Sequence, residues 1–197
     1  TGSKGSSHIQ EIIPTLPESL FINKHELEML HKFADSNSIY TDFYEMKILD
    51  TVCKVYHGDV NNYWLDSIKH DTSYAPFYPV WILSAYALAL ESKNLGAKQI
   101  IDIGSGDGRI AYCAKVAGIQ SYGIEIDENL VNLEKKIVSS TGIDFRPIMA
   151  DATQFDYTSL GLTQPIHGVP SKISPPLFQR LCRYMHNFSG PPQQKLP

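Results

Sequence analysis

Three glycines at alternate positions, Gly104, Gly106 and Gly108, join a β-rich run, Gln99-Ile-Ile-Asp-Ile103, to a helix-patterned segment from Arg109 to Val116. Glycine tolerates backbone angles closed to other residues and leaves the main chain bare, so such a turn lets a ligand approach closely. The helix that follows adds free N–H groups and a partial positive charge at its start. The spacing G-x-G-x-G differs from the dinucleotide fingerprint, in which the third glycine comes three residues after the second. No G-K-[ST] follows, which excludes a P-loop.

The flanking sequence repeats the strand–helix alternation. Ser121-Tyr-Gly-Ile-Glu-Ile126 reads as a second strand, Glu128 to Ser139 as an amphipathic helix, and Asp144-Phe-Arg-Pro-Ile-Met149 as a third strand. That order predicts parallel βαβ units with helices on the sheet faces, an α/β fold. We divide the chain into a flexible N-terminal segment (1–23), a helical region (24–95), an α/β core (96–156) and a Pro-rich irregular segment (157–197). In the helical region, Leu27, Leu30 and Phe33 share one face of a first helix. Thr41 is placed to cap a second helix carrying Phe43, Met46, Leu49, Val52, Val55 and Tyr56, and Asn61 a short one with Tyr63, Trp64 and Ile68. Pro79 suits the first turn of an apolar helix from Val80 to Leu90 that ends near Leu95-Gly96.

Composition narrows the function classes. With 17 Lys and Arg against 21 Asp and Glu in 197 residues, the net charge is -4, a poor match to a nucleic acid whose affinity comes from phosphate neutralisation. The longest apolar stretch, Pro79 to Leu90, is too short to cross a bilayer, so no membrane partner is expected. Cys53, Cys113 and Cys182 form no C-x-x-C pair, and the seven histidines show no metal-ligand spacing. That pattern predicts neither a disulfide framework nor a metal site and suits a reducing cytoplasm.

The run Asp102-Ile-Gly-Ser-Gly-Asp-Gly108 resembles the first motif of class I S-adenosylmethionine-dependent methyltransferases. Glu125 stands at the end of the second strand, and Ala150-Asp151-Ala152 follows the third, matching the next two motifs in order and distance. The resemblance implies a Rossmann-like parallel sheet and a cofactor site for S-adenosylmethionine built from Asp102, Gly104, Ser105, Gly106, Gly108, Glu125, Ile126, Asp151 and Ala152. In it, Gly104 and Gly106 would lie against the methionine portion and Asp102 would orient its ammonium group. Glu125 would hold the ribose, Ile126 would pack on the adenine, and Asp151 would bind its amino group.

The wording of these motifs, with Tyr74-Ala-Pro76 upstream, is similar to archaeal protein-lysine methyltransferases and their mitochondrial relatives. This implies transfer of a methyl group to a protein amine. An RNA or small-molecule methyltransferase and a non-catalytic cofactor-binding scaffold are the alternatives. Tyr74 and Tyr78 are the candidates for lining an acceptor channel, and the 24–95 region for covering the substrate. Phe77 and Pro79 depart from the family's Tyr-x-Pro loop, and Ser174-Pro-Pro-Leu-Phe178 is a distorted form of its later motif, with Leu177 where an aromatic belongs. Only 46 residues follow Asp151, too few for the four further strands of a complete class I fold, so the C-terminal part of the sheet is expected to be truncated or replaced. That part is free of Asp and Glu from Tyr157 onward, reads as loop, and could hold one helix, Leu177 to Phe188.

Overall fold

A computed structural model describes residues 7–17, 22–63 and 77–161. Its elements run β1 (His8–Pro14), α1 (Lys24–Ser36), β2 (Tyr40–Ile48), β3 (Thr51–Asp59), α2 (Ile82–Asn94), β4 (Gln99–Ile103), α3 (Arg109–Val116), β5 (Gln120–Glu125), α4 (Glu128–Thr141), β6 (Arg146–Met149) and a 3-10 turn (Tyr157–Leu160). The strands form two sheets, an antiparallel one ordered β1-β3-β2 and a parallel one ordered β4-β5-β6.

The parallel half follows the sequence closely. Each strand–helix–strand step returns beside its predecessor, with Ile103 opposite Ile124 and Glu125 opposite Met149. β5, the middle strand, is buried at every position after Gln120, as expected for a strand covered on both faces. Pro147 is accommodated because β6 has a neighbour on one side only among the described residues.

The N-terminal half departs from the helical expectation. α1 forms with Leu27, Leu30, Phe33 and Ala34 buried. Its start is fixed by a capping box: Asn23 Oδ1 accepts the Glu26 N–H at 2.9 Å, and Glu26 Oε2 accepts the Asn23 N–H at 3.0 Å. The predicted helix from Thr41 to Tyr56, however, is a β-hairpin, β2–β3, closed by the two-residue turn Leu49-Asp50. The misleading signal has a physical source. β3 lies between two strands and buries Cys53 and Val55 on one face and Tyr56 on the other. A strand buried on both faces loses its alternation, and its apolar spacing then imitates a helix.

The expected flexible segment 1–23 also holds a strand. β1 pairs with β3 along its whole length and turns Ile9, Glu11 and Ile13 inward. The buried carboxylate in the middle of that face hid the pattern. α2 begins at Ile82 rather than at Pro79, with Val80 and Trp81 outside the helix. Trp81 gives no side-chain cap; instead Glu11 Oε1 accepts the Ile82 N–H at 3.1 Å, a carboxylate from another element at the positive end of the helix. Its C-terminus falls where expected, with Leu95 as cap and Gly96 in the left-handed region at φ 86°. The chain is helical again at residues 61–63; Trp64, Ile68, Tyr74 and the Ser174–Phe178 and Leu177–Phe188 expectations lie outside the described residues.

One core joins the two sheets. Tyr112 of α3 stands at its centre, 4.9 Å from the Phe33 ring and 6.3 Å from that of Phe145, and donates its hydroxyl to the Met29 carbonyl at 2.8 Å. Each fully buried side chain of this size contributes about 1.5–3 kcal/mol. The parallel sheet is thereby pinned to α1 on one side, which holds the glycine turn at its carboxyl edge in a fixed orientation.

Candidate functional site

The turn after β4 climbs over the end of β5. Gly104 and Ser105 both donate to the Ile124 carbonyl, at 2.8 and 3.2 Å. Gly104, Gly106 and Gly108 have φ of 72°, 61° and 76°, a region costly for any residue with a Cβ. Their surroundings differ. A Cβ on Gly104 would meet nothing within 4 Å among the described residues, which leave this stretch of main chain open. One on Gly106 would lie 2.4 Å from the Phe77 ring, and one on Gly108 would lie 2.7 Å from Phe145 and 2.8 Å from Glu134. Gly104 therefore leaves room for a ligand, while Gly106 and Gly108 make room for neighbouring side chains.

Glu125 ties the site together. Its Oε2 accepts the Gly106 N–H at 2.9 Å, and its Oε1 accepts those of Ile126 and Asp127 at 2.8 and 3.1 Å. An ionised carboxylate offers about four lone-pair positions, so these three donors leave acceptor capacity on Oε2. Burial raises the Glu125 pKa, and the three N–H donors oppose that rise. The Glu125 carbonyl accepts the Ala150 N–H at 2.9 Å, which brings the segment after β6 alongside. There Asp151 Oδ1 takes the backbone N–H and the hydroxyl of Thr153, at 2.8 and 2.7 Å, while Ala152 follows and is half-buried. Ile126 and Met149, on the ends of β5 and β6, are 38% and 59% exposed, an apolar surface beside the open turn.

Asp102 lies beneath the turn on β4. Burial, aided by the nearby carboxylates Asp107 and Glu125, pushes its pKa up to about 7. Ser105 is buried, and its side chain is a hydrogen-bond partner of the Glu134 carboxyl group. Tyr78 is exposed, just ahead of α2; Tyr74 lies outside the described residues. Among the described residues no group of His, Cys, Asp and Glu is arranged to hold a metal ion, and no helix is long and apolar enough to cross a membrane.

The sequence did not reveal the ionic network that anchors this turn. Arg109, fully enclosed, donates Nε to Asp107 Oδ1 at 2.9 Å and Nη2 to Asp107 Oδ2 at 2.5 Å. Its Nη1 bonds Glu11 Oε2 at 2.9 Å and the Val80 carbonyl, and Nη2 also meets the Tyr40 hydroxyl at 3.1 Å. Asn37 Nδ2 adds a bond to Asp107 Oδ2 at 2.9 Å. One guanidinium thus joins β1, β2, the approach to α2 and the glycine turn, and Asp107 carries the link on to the end of α1. The partners lie up to 98 residues apart in the chain, a separation no local pattern can register. Glu134 was also missed, although it carried a signal. It falls on the buried stripe Leu130, Glu134, Ile137, Thr141 of α4, a carboxylate in an apolar register.

No protein-family model matches the chain, and no curated protein does. Solved structures give partial likenesses. A candidate RNA methyltransferase of Pyrococcus horikoshii is 23% identical over 37% of this chain and 39% of its own, with a TM-score of 0.33. An O-methyltransferase of Bacillus cereus, in complex with SAH, is 15% identical over 44% of this chain and 39% of its own, at 0.31. A candidate O-methyltransferase of Klebsiella pneumoniae is 17% identical over 67% of this chain and 60% of its own, at 0.38. The chain therefore spans less than two thirds of the length of each.

Proposed function

We propose that this chain binds S-adenosylmethionine at the glycine turn and methylates a protein amine, with lysine as the acceptor. The observation that carries the cofactor reading is the convergence at one sheet edge of the open Gly104 backbone, the Glu125 carboxylate and the Ala150–Ala152 segment. Ligands of open α/β sheets bind outside the carboxyl ends of the strands, where these three groups stand.

The residues present suit such a ligand. Gly104 admits it to the main chain, the acceptor capacity of Glu125 Oε2 suits a ribose hydroxyl, and Ile126 and Met149 offer the apolar surface a purine requires. Asp151 Oδ2 takes no hydrogen bond among the described residues and suits an amino donor. S-adenosylmethionine supplies a methyl group on a sulfonium, transferred by in-line displacement. The chain then has to align the acceptor nitrogen and exclude water. A lysine must also give up its proton before it can attack. Tyr78, exposed ahead of α2, is our candidate for lining the acceptor path.

Calorimetry with S-adenosylhomocysteine tests the site. Binding by the wild type is expected, together with its loss in Gly104→Val, whose side chain would fill the open face. Silence from the folded wild type refutes the reading. Incubation with methyl-labelled cofactor and a cell extract identifies the acceptor. Label in protein lysine supports the proposal; label in RNA or small molecules redirects it to another substrate class, and binding without label leaves a scaffold.

A further inference from the structure

A glycine turn that leads into a helix ordinarily offers its main-chain N–H groups to an anion, which is how such turns hold phosphate. Here those groups are already spent. Gly104 and Ser105 donate to the Ile124 carbonyl at 2.8 and 3.2 Å, and Gly108 donates to that of Ser105 at 2.9 Å. The Gly106 N–H goes to Glu125 Oε2 at 2.9 Å, and the Arg109 N–H to Asp107 Oδ1 at 3.3 Å. The amides a phosphate would need are therefore held by the chain's own carbonyls and carboxyl groups. Arg109, the buried cation beside the turn, is engaged by Asp107 and Glu11.

Space is restricted as well. In a dinucleotide-binding turn the second glycine lets the main chain approach a pyrophosphate. In this chain the second glycine is Gly106, and the Phe77 ring lies against it, with two ring atoms 2.4 and 2.5 Å from where a Cβ would sit. Phe77 packs on the core, and the Tyr63 ring meets it nearly edge-on, with centroids 6.2 Å apart and planes at 76°. A ring held from two sides cannot swing aside at no cost. A Cβ on Gly104, by contrast, would meet nothing within 4 Å among the described residues. The turn is open at its first glycine and walled at its second.

We propose that Phe77 is a specificity-determining residue of this site: its ring on Gly106, with Glu125 on the same residue's N–H, shuts the turn to phosphate and restricts it to nucleosides whose ribose carries an uncharged or cationic arm. The inference rests on the cofactor reading above, in which Glu125 takes the ribose, and adds which ligands that site refuses. With the ribose at Glu125, its arm passes along Gly104 toward Gly106. A thioether or sulfonium is slim there and asks for no amide donor at sulfur. A phosphate at the same point would lose its hydration, find the Gly106 N–H taken and the ring in its way, and face the Glu125 carboxyl group. Desolvated charge without a partner, together with a steric wall, is how a site rejects the wrong ligand.

The test is calorimetry of the full chain with S-adenosylhomocysteine, with adenosine monophosphate titrated as its competitor, in the wild type and in Phe77→Ala. The wild type should prefer S-adenosylhomocysteine by about a hundredfold or more, the scale set by juxtaposing like charges. In Phe77→Ala that preference should shrink by about tenfold or more, through a gain in monophosphate affinity as the wall is removed. A ring that served packing alone would shift both affinities by one factor. An unchanged ratio in Phe77→Ala therefore overturns the proposal, as does a wild type that binds the monophosphate as tightly as S-adenosylhomocysteine; both results leave the cofactor reading standing. Failure of the folded wild type to bind S-adenosylhomocysteine overturns both. Should Phe77→Ala not fold, Phe77→Leu, which keeps an apolar side chain without the ring, decides by the same ratio.

Discussion

Replacing Arg109 by Met keeps most of the aliphatic stem and removes the guanidinium. Glu11 and Asp107, both enclosed, would then face each other without a counter-charge, and the Val80 carbonyl and Tyr40 hydroxyl would lose a donor. Breaking a buried ion pair from one side typically costs about 3–5 kcal/mol, because the remaining charge stays desolvated. Glu11→Gln should behave differently. Burial, only partly offset by Arg109, has pushed the Glu11 pKa up to about 7, so near neutrality its charged form is barely favoured. A glutamine carbonyl still accepts the Ile82 N–H, and the loss should be about 1 kcal/mol. The pH dependence separates the two further. The unfolded carboxyl titrates near 4.5 and the folded one near 7. Between those values the folded chain holds a proton that the unfolded chain has released, so stability falls as pH rises across this window. The span corresponds to about 3 kcal/mol. Glu11→Gln lacks that slope: it should be less stable than the wild type at pH 5 and recover relative to it by pH 8. Urea unfolding followed by circular dichroism at both pH values measures this. A cost for Arg109→Met no larger than that for Glu11→Gln, or a pH-independent gap between Glu11→Gln and the wild type, would refute the assignment of Arg109 as the hub.

Two further outcomes follow from backbone geometry. Leu49, 92% exposed, opens the β2–β3 turn at φ 53°; Leu49→Gly should raise thermal stability by about 1 kcal/mol, the strain of a left-handed residue with a Cβ, with no change in nucleoside affinity. Gly106→Ala meets both the positive φ and the Phe77 ring, whereas Gly104→Ala meets the positive φ alone; unfolding curves should therefore show a larger loss for Gly106→Ala, partly recovered by Phe77→Ala, while Gly104→Ala should stay near the ~1–2 kcal/mol of backbone strain.

The parallel half of the fold was legible because its signals are local. Asp102 to Gly108 carries its turn chemistry within seven residues, and Arg109–Val116 declares its helix by composition and by the glycine before it. The antiparallel half was not, since its strands are defined by what covers them. β3 looked helical because it is covered on both faces, and β1 looked featureless because Glu11 interrupts its inward stripe to meet an arginine nearly a hundred residues away. The same division runs through the site. The glycines, Glu125 and Asp151 were named as candidates through a motif resemblance, but which glycine stays open depends on Phe77 and Phe145. That is a matter of packing rather than of pattern.

β2 remains as a loose thread. It forms the rim of its sheet among the described residues, with seven of its nine side chains exposed. Along such a rim the outward amides and carbonyls are a template for any extended peptide that drifts past. Asp42, Glu45 and Lys47 break up the otherwise oily sequence there, and their charges act as gatekeepers against fibrous stacking. Neutralising them would leave the fold intact while making the concentrated protein prone to gel.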